Sequence, residues 1–237
     1  MSDSIRINKY LADQHIASRR EADELVRSGR VLVNGTPATL GQRVTAADTV
    51  TLTGSTPRKT YLAYYKGRGI ITHSPASGEV DIATRLQQDY GLTHIHPIGR
   101  LDKDSEGLML LSDDGRLTGP LLDPENGHEK EYEVVVDKPL TGMAAKIMAH
   151  GVDIEGYRTK PAVVVPHERV QTKFNLIITE GKKHQIRRMC AALGYQVQSL
   201  KRVRILHITL GTLKPNQFRK LTKPEIATLL ATLGVTS

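Results

Sequence analysis

The first fifty residues carry the apolar spacing of a small α/β unit. Apolar positions between residues 7 and 16 recur at helical intervals and predict a short helix. A second helix is predicted to begin after Ser18, because Ser18 and Glu21 have the spacing of a capping box, and to end at Gly29. The predicted elements that follow are a strand over residues 31–33, a hairpin turn at Asn34 and Gly35, and a strand over residues 49–53.

From residue 61 onward, short apolar runs alternate irregularly with helical patterns. Strands are predicted over residues 61–65, 69–72, 108–111, 132–136, 162–165, 174–179 and 205–210. Helices are predicted over residues 143–148, 185–193 and 224–233. Because strands outnumber helices without regular βαβ alternation, the predicted fold class is α+β, built on a largely antiparallel mixed sheet.

A polar stretch rich in turn-forming residues separates these two patterns. It runs from Gly54 to Lys59 and has the composition of a linker. The predicted organisation is therefore a small domain over residues 1–54, a linker over residues 55–60 and a larger domain over residues 61–237.

Composition narrows the class of protein. A single cysteine, Cys190, excludes an internal disulfide framework and a zinc site built from several cysteines. No apolar run approaches the roughly 18 residues that span a bilayer, and residues 1–8 lack the apolar core of a signal peptide. We therefore expect a cytoplasmic protein without a membrane partner, with a monomer as the default state.

The distribution of charge along the chain indicates what kind of partner the protein binds. The net charge is +8, and residues 181–224 hold eleven Lys or Arg residues with no Asp or Glu. A solvated protein face ordinarily mixes both signs, so this segment predicts a polyanionic partner, with nucleic acid first. Residues 1–54, by contrast, hold seven basic and six acidic residues, a charge of +1.

The residues with the clearest chemical potential surround Asp102. Asp102 and Asp104 lie between Gly99 and Gly107, ahead of the apolar run over residues 108–111. A calcium loop fits poorly, because Gly99 and the preceding proline break any entering helix. Two interpretations stay open on the pattern alone: a turn held by Asx hydrogen bonds, or a loop aspartate that acts as nucleophile or base beside cations.

Four segments resemble bacterial rRNA pseudouridine synthases of the RsuA type. Residues 5–52 resemble an S4 RNA-binding domain. The run GRLDKDSEGL at residues 99–108 is similar to the family's catalytic signature. Residues 129–132 and 180–189 resemble its second and third motifs. The resemblance implies a pseudouridine synthase domain behind the S4 domain. One departure stands at Lys66-Gly67, where the family usually has Lys-Pro.

The resemblance also assigns roles to single residues. Asp102 is the essential carboxylate, Arg187 the cation beside it, and Tyr132 the aromatic residue that packs on the target base. Arg100 is the residue that enters the RNA where the target nucleotide leaves its stack, with a simple ion pair to Asp104 as the competing interpretation. No cofactor and no metal are implied.

The expected partner is RNA. The S4 domain is expected to bind it through Lys9, Arg19, Arg20, Arg27 and Arg30. Further expected contacts are Arg100, Lys182, Lys183, Arg188, Lys201, Arg202 and Arg204. The expected reaction is conversion of a uridine in 23S rRNA, with 16S rRNA or a tRNA as alternative substrates. A non-catalytic S4 protein of ribosome assembly and a DNA-binding regulator are the rival functions.

Overall fold

The computed structural model describes residues 4–54, 59–73, 75 and 78–235 of the 237. Its first unit is a small α/β layer around a core that includes Ile7, Leu11 and Val31. The elements of this unit are β1 (Ile5–Arg6), α1 (Ile7–Asp13), α2 (Arg19–Arg27), β2 (Val31–Val33), β3 (Thr36–Pro37), β4 (Arg43–Val44) and β5 (Val50–Leu52).

Local chemistry explains the bounds of α2. The Ser18 hydroxyl accepts the backbone N–H of Glu21 at 3.3 Å, as an N-cap does. The predicted capping box is only half formed, however, because the Glu21 carboxylate pairs with Lys59 instead of turning back to the helix start. Asn34 and Gly35 both have positive φ and form the predicted hairpin turn between β2 and β3.

The second unit contains one large sheet. Its elements are β6 (Tyr61–Lys66), α3 (Ile82–Tyr90), β7 (His96–Ile98), β8 (Glu106–Ser112), α4 (Thr118–Leu122), β9 (Lys130–Val136), α5 (Gly142–His150), β10 (Asp153–Ile154), β11 (Tyr157–Arg158), β12 (Val163–Pro166), β13 (Lys173–Ile178), α6 (Gln185–Ala192), β14 (Val197–Ile205), β15 (Ile208–Thr209), β16 (Phe218–Lys220) and α7 (Lys223–Thr232).

Within the described residues, nine strands form this sheet in the order β12-β13-β9-β14-β8-β6-β16, with β7 on β8 and β15 on β14. The β14–β8 pair is parallel, and the other strand pairs of the described sheet are antiparallel. The fold is therefore the predicted α+β class on a mostly antiparallel mixed sheet.

Two apolar cores flank the sheet. One packs the inner face of β9, β13 and β14 against α3, α5 and α6, with Tyr132, Phe174 and Met189 among its members. The other packs β6 and β8 against α4 and α7 and includes Leu108, Leu117 and Leu229. No helix in the described part of the chain is long and apolar enough to cross a membrane.

The fold differs from the predicted local structure in several places. Residues 69–72 do not form a strand, and Ile71 makes only an isolated bridge to Asp81. Residues 205–210 form the end of β14, a turn with Leu206 at positive φ, and β15. Helix α3 was not predicted, although Asp81 caps it through the backbone N–H of Thr84. Most of β14 was also missed, because its alternating cations hide its apolar residues.

The two units touch at defined places. Besides the Glu21–Lys59 pair, the guanidinium of Arg116 donates to the carbonyl of His15 at 3.5 Å. Of the predicted linker over residues 55–60, residues 55–58 lie outside the described residues. The backbone N–H of Thr60 donates to Asp113 at 2.7 Å, so the chain joins the second unit there.

Candidate active site

The loop that carries Asp102 joins β7 to β8. Its turn is closed by a hydrogen bond from the backbone N–H of Ser105 to the carbonyl of Asp102, 3.1 Å long. Gly107, at the start of β8, has φ +112°, and a Cβ there would lie 2.3 Å from the carbonyl oxygen of Arg202. Glycine is required because β8 and β14 approach this closely just after the loop.

The segment that contains Lys66 and Thr72 holds the backbone of this loop. The buried Lys66 ammonium donates to the carbonyls of Ser105 (2.7 Å) and Lys103 (3.4 Å). The Thr72 hydroxyl bridges the backbone of Leu101, donating at 2.8 Å and accepting at 3.1 Å. Burial lowers the pKa of Lys66 to about 8, although the nearby Asp102 carboxylate acts in the opposite direction. The loop backbone is thus fixed on both sides of Asp102.

The departure at Lys66-Gly67 from the family's usual Lys-Pro has a local explanation. The backbone N–H of Gly67 donates to the side-chain oxygen of Asn216 at 3.2 Å. A Cβ at Gly67 would lie 2.8 Å from the same oxygen. Proline has no N–H to donate, so glycine and Asn216 together take the place of the family's proline.

Asp102 faces a cleft of about 430 Å³. Tyr132 from β9 and Ile186 from α6 line the same cleft, and Lys182, Lys183 and His184 form another part of its wall. The Nε2 atom of His184 lies 3.6 Å from Oδ1 of Asp102. The Asp102 side chain is 36% exposed, so this carboxylate is only partly buried. The cleft brings a carboxylate, a phenol and several cations together.

His184 has an unusual backbone. It precedes α6 in the left-handed region, with φ +52° and ψ +26°. Non-glycine residues rarely adopt this conformation, and such residues cluster at functional sites. The loop before α6 is held by Gln185, whose amide oxygen accepts the Lys182 backbone N–H at 2.8 Å and whose amide nitrogen donates to Glu180 at 2.6 Å.

Tyr132 is 8% exposed and lies next to a buried cation. Nη1 of Arg202 lies 3.5 Å from the Tyr132 hydroxyl and from the carbonyl of Arg100, and its Nε donates to the carbonyl of Leu108 at 2.7 Å. Arg202 itself is only 5% exposed. β14 directs the guanidinium into the protein behind the cleft, where it binds backbone carbonyls, and the RNA contact predicted for Arg202 stays a prediction.

Arg187 does not pair with Asp102. Its guanidinium donates to the carbonyls of Asp104 (3.2 Å) and Val197 (3.3 Å), and it is not within ion-pair distance of Asp102. The predicted contact is absent from this structure because α6 presents Arg187 to the outer side of the Asp102 loop and to the start of β14. Among the described basic side chains, only His184 lies within ion-pair distance of the Asp102 carboxylate, and it was not predicted as a site residue. Its place directly before the predicted helix over residues 185–193 was the available signal.

Lys66 was also missed. It ends an apolar run, and a lone lysine there suggests either a solvated strand end or a buried contact. Arg100 is exposed and makes no ion pair with the described residues, so the competing Arg100–Asp104 pair does not form.

Four of the eleven basic residues in the acid-free segment, residues 181–224, form ion pairs with carboxylates within the described part of the chain. Cross-strand pairs join Lys201 to Glu133 (3.2 Å) and Arg204 to Glu131 (2.9 Å), with Glu129 also 2.9 Å from Arg204. Other pairs in this segment are Arg188 with Glu155 and Arg219 with Glu225. Lys182 and Lys183 stay exposed beside the cleft, with Lys182 Nζ 4.7 Å from the centre of the Tyr157 ring.

The basic residues of the first unit lie mostly on its surface. Arg19, Arg20 and Arg27 are exposed on α2, and Lys9 forms an i,i+4 pair with Asp13 at 3.2 Å. Arg30 donates to the carbonyl of Thr53. The first turn of α2 therefore presents two arginines to solvent.

Comparison with known proteins agrees with both units. The family model described as RNA pseudouridylate synthase matches residues 60–192, and the S4 domain model matches residues 5–50. Residues 128–132, 137–139 and 185–190 resemble the branch of ribosomal large subunit pseudouridine synthase F. "Dual-specificity RNA pseudouridine synthase RluF" of Escherichia coli K12 is 37% identical over 95% of this chain and 78% of its own.

Other relatives point the same way. "Ribosomal large subunit pseudouridine synthase B" of Bacillus subtilis is 33% identical over 95% of this chain and 96% of its own. A crystal structure titled as a pseudouridylate synthase superposes with a TM-score of 0.70 at 30% identity, covering 95% of this chain and all of the other. The chain therefore belongs to the RNA pseudouridine synthases of the RsuA type, with an S4 domain ahead of the synthase domain.

Proposed function

We propose that the protein converts a specific uridine of 23S rRNA into pseudouridine, with Asp102 as the essential carboxylate. The observation that carries this proposal is that Asp102 and Tyr132 line one cleft with cations at its edge. The cleft volume of about 430 Å³ is within the range of small-molecule sites, and a single flipped-out nucleotide is the occupant we propose.

The reaction is an isomerisation that needs no external reactant. The N1–C1′ bond of the target uridine breaks, the uracil rotates, and C5 bonds to C1′. The proton on C5 is then lost, and N1 gains one. Asp102 acts either by attack on C1′ or by assisting proton loss at C2′, and both routes need its ionised form.

Tyr132 and Arg187 have supporting roles in this proposal. The Tyr132 ring offers a stacking surface for the uracil, and its hydroxyl, beside Arg202, takes part in proton removal from C5. Arg187 is a positioning residue, because it holds the carbonyl of Asp104, two residues beyond Asp102. Arg100 fills the place that the target leaves in the RNA.

The substrate assignment rests on the relatives' names and on the exposed cations. The name of the Bacillus subtilis relative specifies the large ribosomal subunit, and RluF is named a dual-specificity enzyme. A uridine of 16S rRNA or of a tRNA is the alternative substrate. We propose that the enzyme works as a cytoplasmic monomer. Sedimentation of the purified protein, with and without rRNA, tests whether it is monomeric.

The test of the catalytic assignment is Asp102→Asn. Tritium release from C5-labelled rRNA is expected to fall below detection, while RNA affinity remains within about twofold, because the change removes a charge from the cleft and no basic contact. Asp104→Asn is the matched control, since it removes an exposed carboxylate of the same loop. Full activity of the Asp102 variant contradicts the proposal. RNA binding by the wild-type protein without any tritium release supports the non-catalytic S4 alternative.

The target is identified by mapping pseudouridines in cells that lack the protein. A single missing pseudouridine in 23S rRNA is the expected result. If the missing pseudouridine lies in 16S rRNA or in a tRNA instead, the proposed substrate changes but the proposed reaction does not.

A further inference from the structure

A second cleft adjoins the catalytic one. It has a volume of about 320 Å³ and shares Arg100, Tyr132 and Lys182 with the catalytic cleft. Leu122 of α4, 44% exposed, provides part of an apolar wall, and Lys130 and Arg202 lie on its cationic side. The two clefts are therefore neighbouring compartments on either side of Arg100 and Tyr132.

Lys130 lacks a counterion in the described structure. Its ammonium is half-buried at the start of β9 and donates to the carbonyl of His128 at 3.0 Å, and it makes no ion pair with the described residues. Burial and the charge of Arg202 both lower the pKa of Lys130. Burial and the charge of Lys130 likewise lower the pKa of His128. The Lys130 ammonium thus lies close enough to Arg202 and to His128 to act on each electrostatically.

The acids near Lys130 are engaged elsewhere. Glu129 and Glu131 flank Lys130 in the sequence, but both carboxylates bind Arg204, each at 2.9 Å. Glu180 lines the same cleft, yet it is 2% exposed and accepts from the Tyr157 hydroxyl at 2.5 Å, besides its bond with Gln185. Within the described residues, no carboxylate therefore lies within ion-pair distance of the Lys130 ammonium.

An uncompensated, partly buried cation destabilises a protein unless a ligand supplies the opposite charge. The geometry specifies what such a ligand looks like. It carries a negative group for Lys130 and an apolar part for the wall at Leu122, and it is continuous with an occupant of the catalytic cleft. A phosphodiester followed by its sugar and base has these properties.

We propose that this second cleft binds the nucleotide next to the target uridine, with Lys130 as the contact to its phosphate. The proposal rests on the proposed function, because it takes the target uridine to occupy the catalytic cleft. It adds a second point of attachment, so that the RNA is held on both sides of Arg100 when the target leaves its stack.

The test compares Lys130→Met and Lys130→Arg with Lys146→Met, a matched control on the exposed face of α5. The probe is an RNA fragment that carries the mapped uridine, bound at several salt concentrations. Lys130→Met is expected to weaken binding about tenfold and to reduce the slope of log Kd against log salt by about 0.7–0.9, the contribution of one phosphate contact. Lys130→Arg retains most of the affinity, and Lys146→Met matches the wild type.

Thermal unfolding separates this role from a structural one. If Lys130 serves to bind a phosphate, Lys130→Met leaves the Tm of the free protein unchanged or raises it, because an unpaired charge is removed. A fall in Tm of several degrees together with the lost affinity contradicts the proposal.

Neutral linkages identify the phosphate directly. A methylphosphonate is placed in turn at each phosphate flanking the target uridine. At one position it is expected to weaken binding to the wild type about tenfold and to have no further effect on Lys130→Met. An equal penalty in both proteins, or an unchanged salt slope in Lys130→Met, overturns the subsite while tritium release by the wild type continues. Absence of tritium release from the wild type itself overturns the proposed function instead.

Discussion

Two sets of basic residues in this protein differ in what they leave for a ligand. Lys201 and Arg204 of β14 come from a stretch without acids, and yet both are paired with carboxylates of β9. Arg19 and Arg20 of α2 come from a unit of nearly balanced charge, and both are exposed without an ion pair in the described structure. Charge along the sequence is thus a poor guide to charge at the surface, because strand pairing brings distant acids alongside.

The position of the α2 arginines strengthens the contrast. Cations at the first turn of a helix oppose its macrodipole and do not stabilise the helix. The same end of a helix favours phosphate groups, through its free backbone N–H groups and its positive dipole. Arg19 and Arg20 therefore suit an RNA contact better than a structural role.

The largest effect is expected at Arg202. Its burial and its hydrogen bonds to backbone carbonyls predict a structural role for this cation. Arg202→Met removes hydrogen bonds to the carbonyls of Leu108 and Arg100 and leaves these groups inside the protein. We expect the free energy of unfolding in urea to fall by about 3 kcal/mol, and tritium release to fall with it. Arg202→Lys recovers part of both. An unchanged unfolding free energy with reduced RNA affinity supports the predicted RNA contact instead.

The next effect concerns the α2 arginines. The double change Arg19→Gln and Arg20→Gln is expected to weaken RNA binding about tenfold and to lower the salt slope by about 1.4–1.8, the contribution of two phosphate contacts. The Tm is expected to stay level or rise, because two cations leave the positive end of a helix. An unaltered salt slope contradicts the assignment of this surface to RNA.

The next prediction concerns the ion pair between Arg219 and Glu225 in the basic segment. It tests how much such an internal pair stabilises the fold. The Arg219 guanidinium lowers the pKa of Glu225 to about 2, and the same carboxylate caps α7 through the backbone N–H of Thr222. Since the folded pKa lies below the ordinary 4.5, the pair stabilises the fold above pH 4.5 and loses its contribution as pH falls toward 2. Glu225→Gln is expected to cost about 1 kcal/mol at pH 7, after allowance for solvent exposure.

Urea unfolding at pH 7, 4 and 3 measures this difference. The wild type and Glu225→Gln are expected to converge as the pH falls. A gap that stays constant across the three pH values shows that the charge of Glu225 does not contribute.

The smallest effect is expected at Lys201. Lys201→Gln removes a cation that Glu133 already neutralises, and Glu133 keeps Lys173 as a second partner at 2.7 Å. We expect less than about 0.5 kcal/mol in stability and less than about twofold in RNA affinity. A loss of affinity as large as that of the α2 double variant removes the distinction between the two regions.

The sequence by itself determined the elements whose patterns are local. The Ser18 cap, the Asn34-Gly35 turn and the strand that holds Tyr132 follow from rules that act over a few residues. The family motifs likewise predicted that Asp102 and Tyr132 belong to one site. The structure places both in the same cleft.

Only the tertiary structure decided which cations remain available. Lys66 is buried beneath the loop that carries Asp102, Arg187 holds the outer side of that loop, and His184 lies 3.6 Å from Asp102. The acids on either side of Lys130, Glu129 just before β9 and Glu131 within it, both bind Arg204 and not Lys130. These outcomes depend on which strands pair and in which register, and pairing between residues about seventy positions apart has no signature in local sequence.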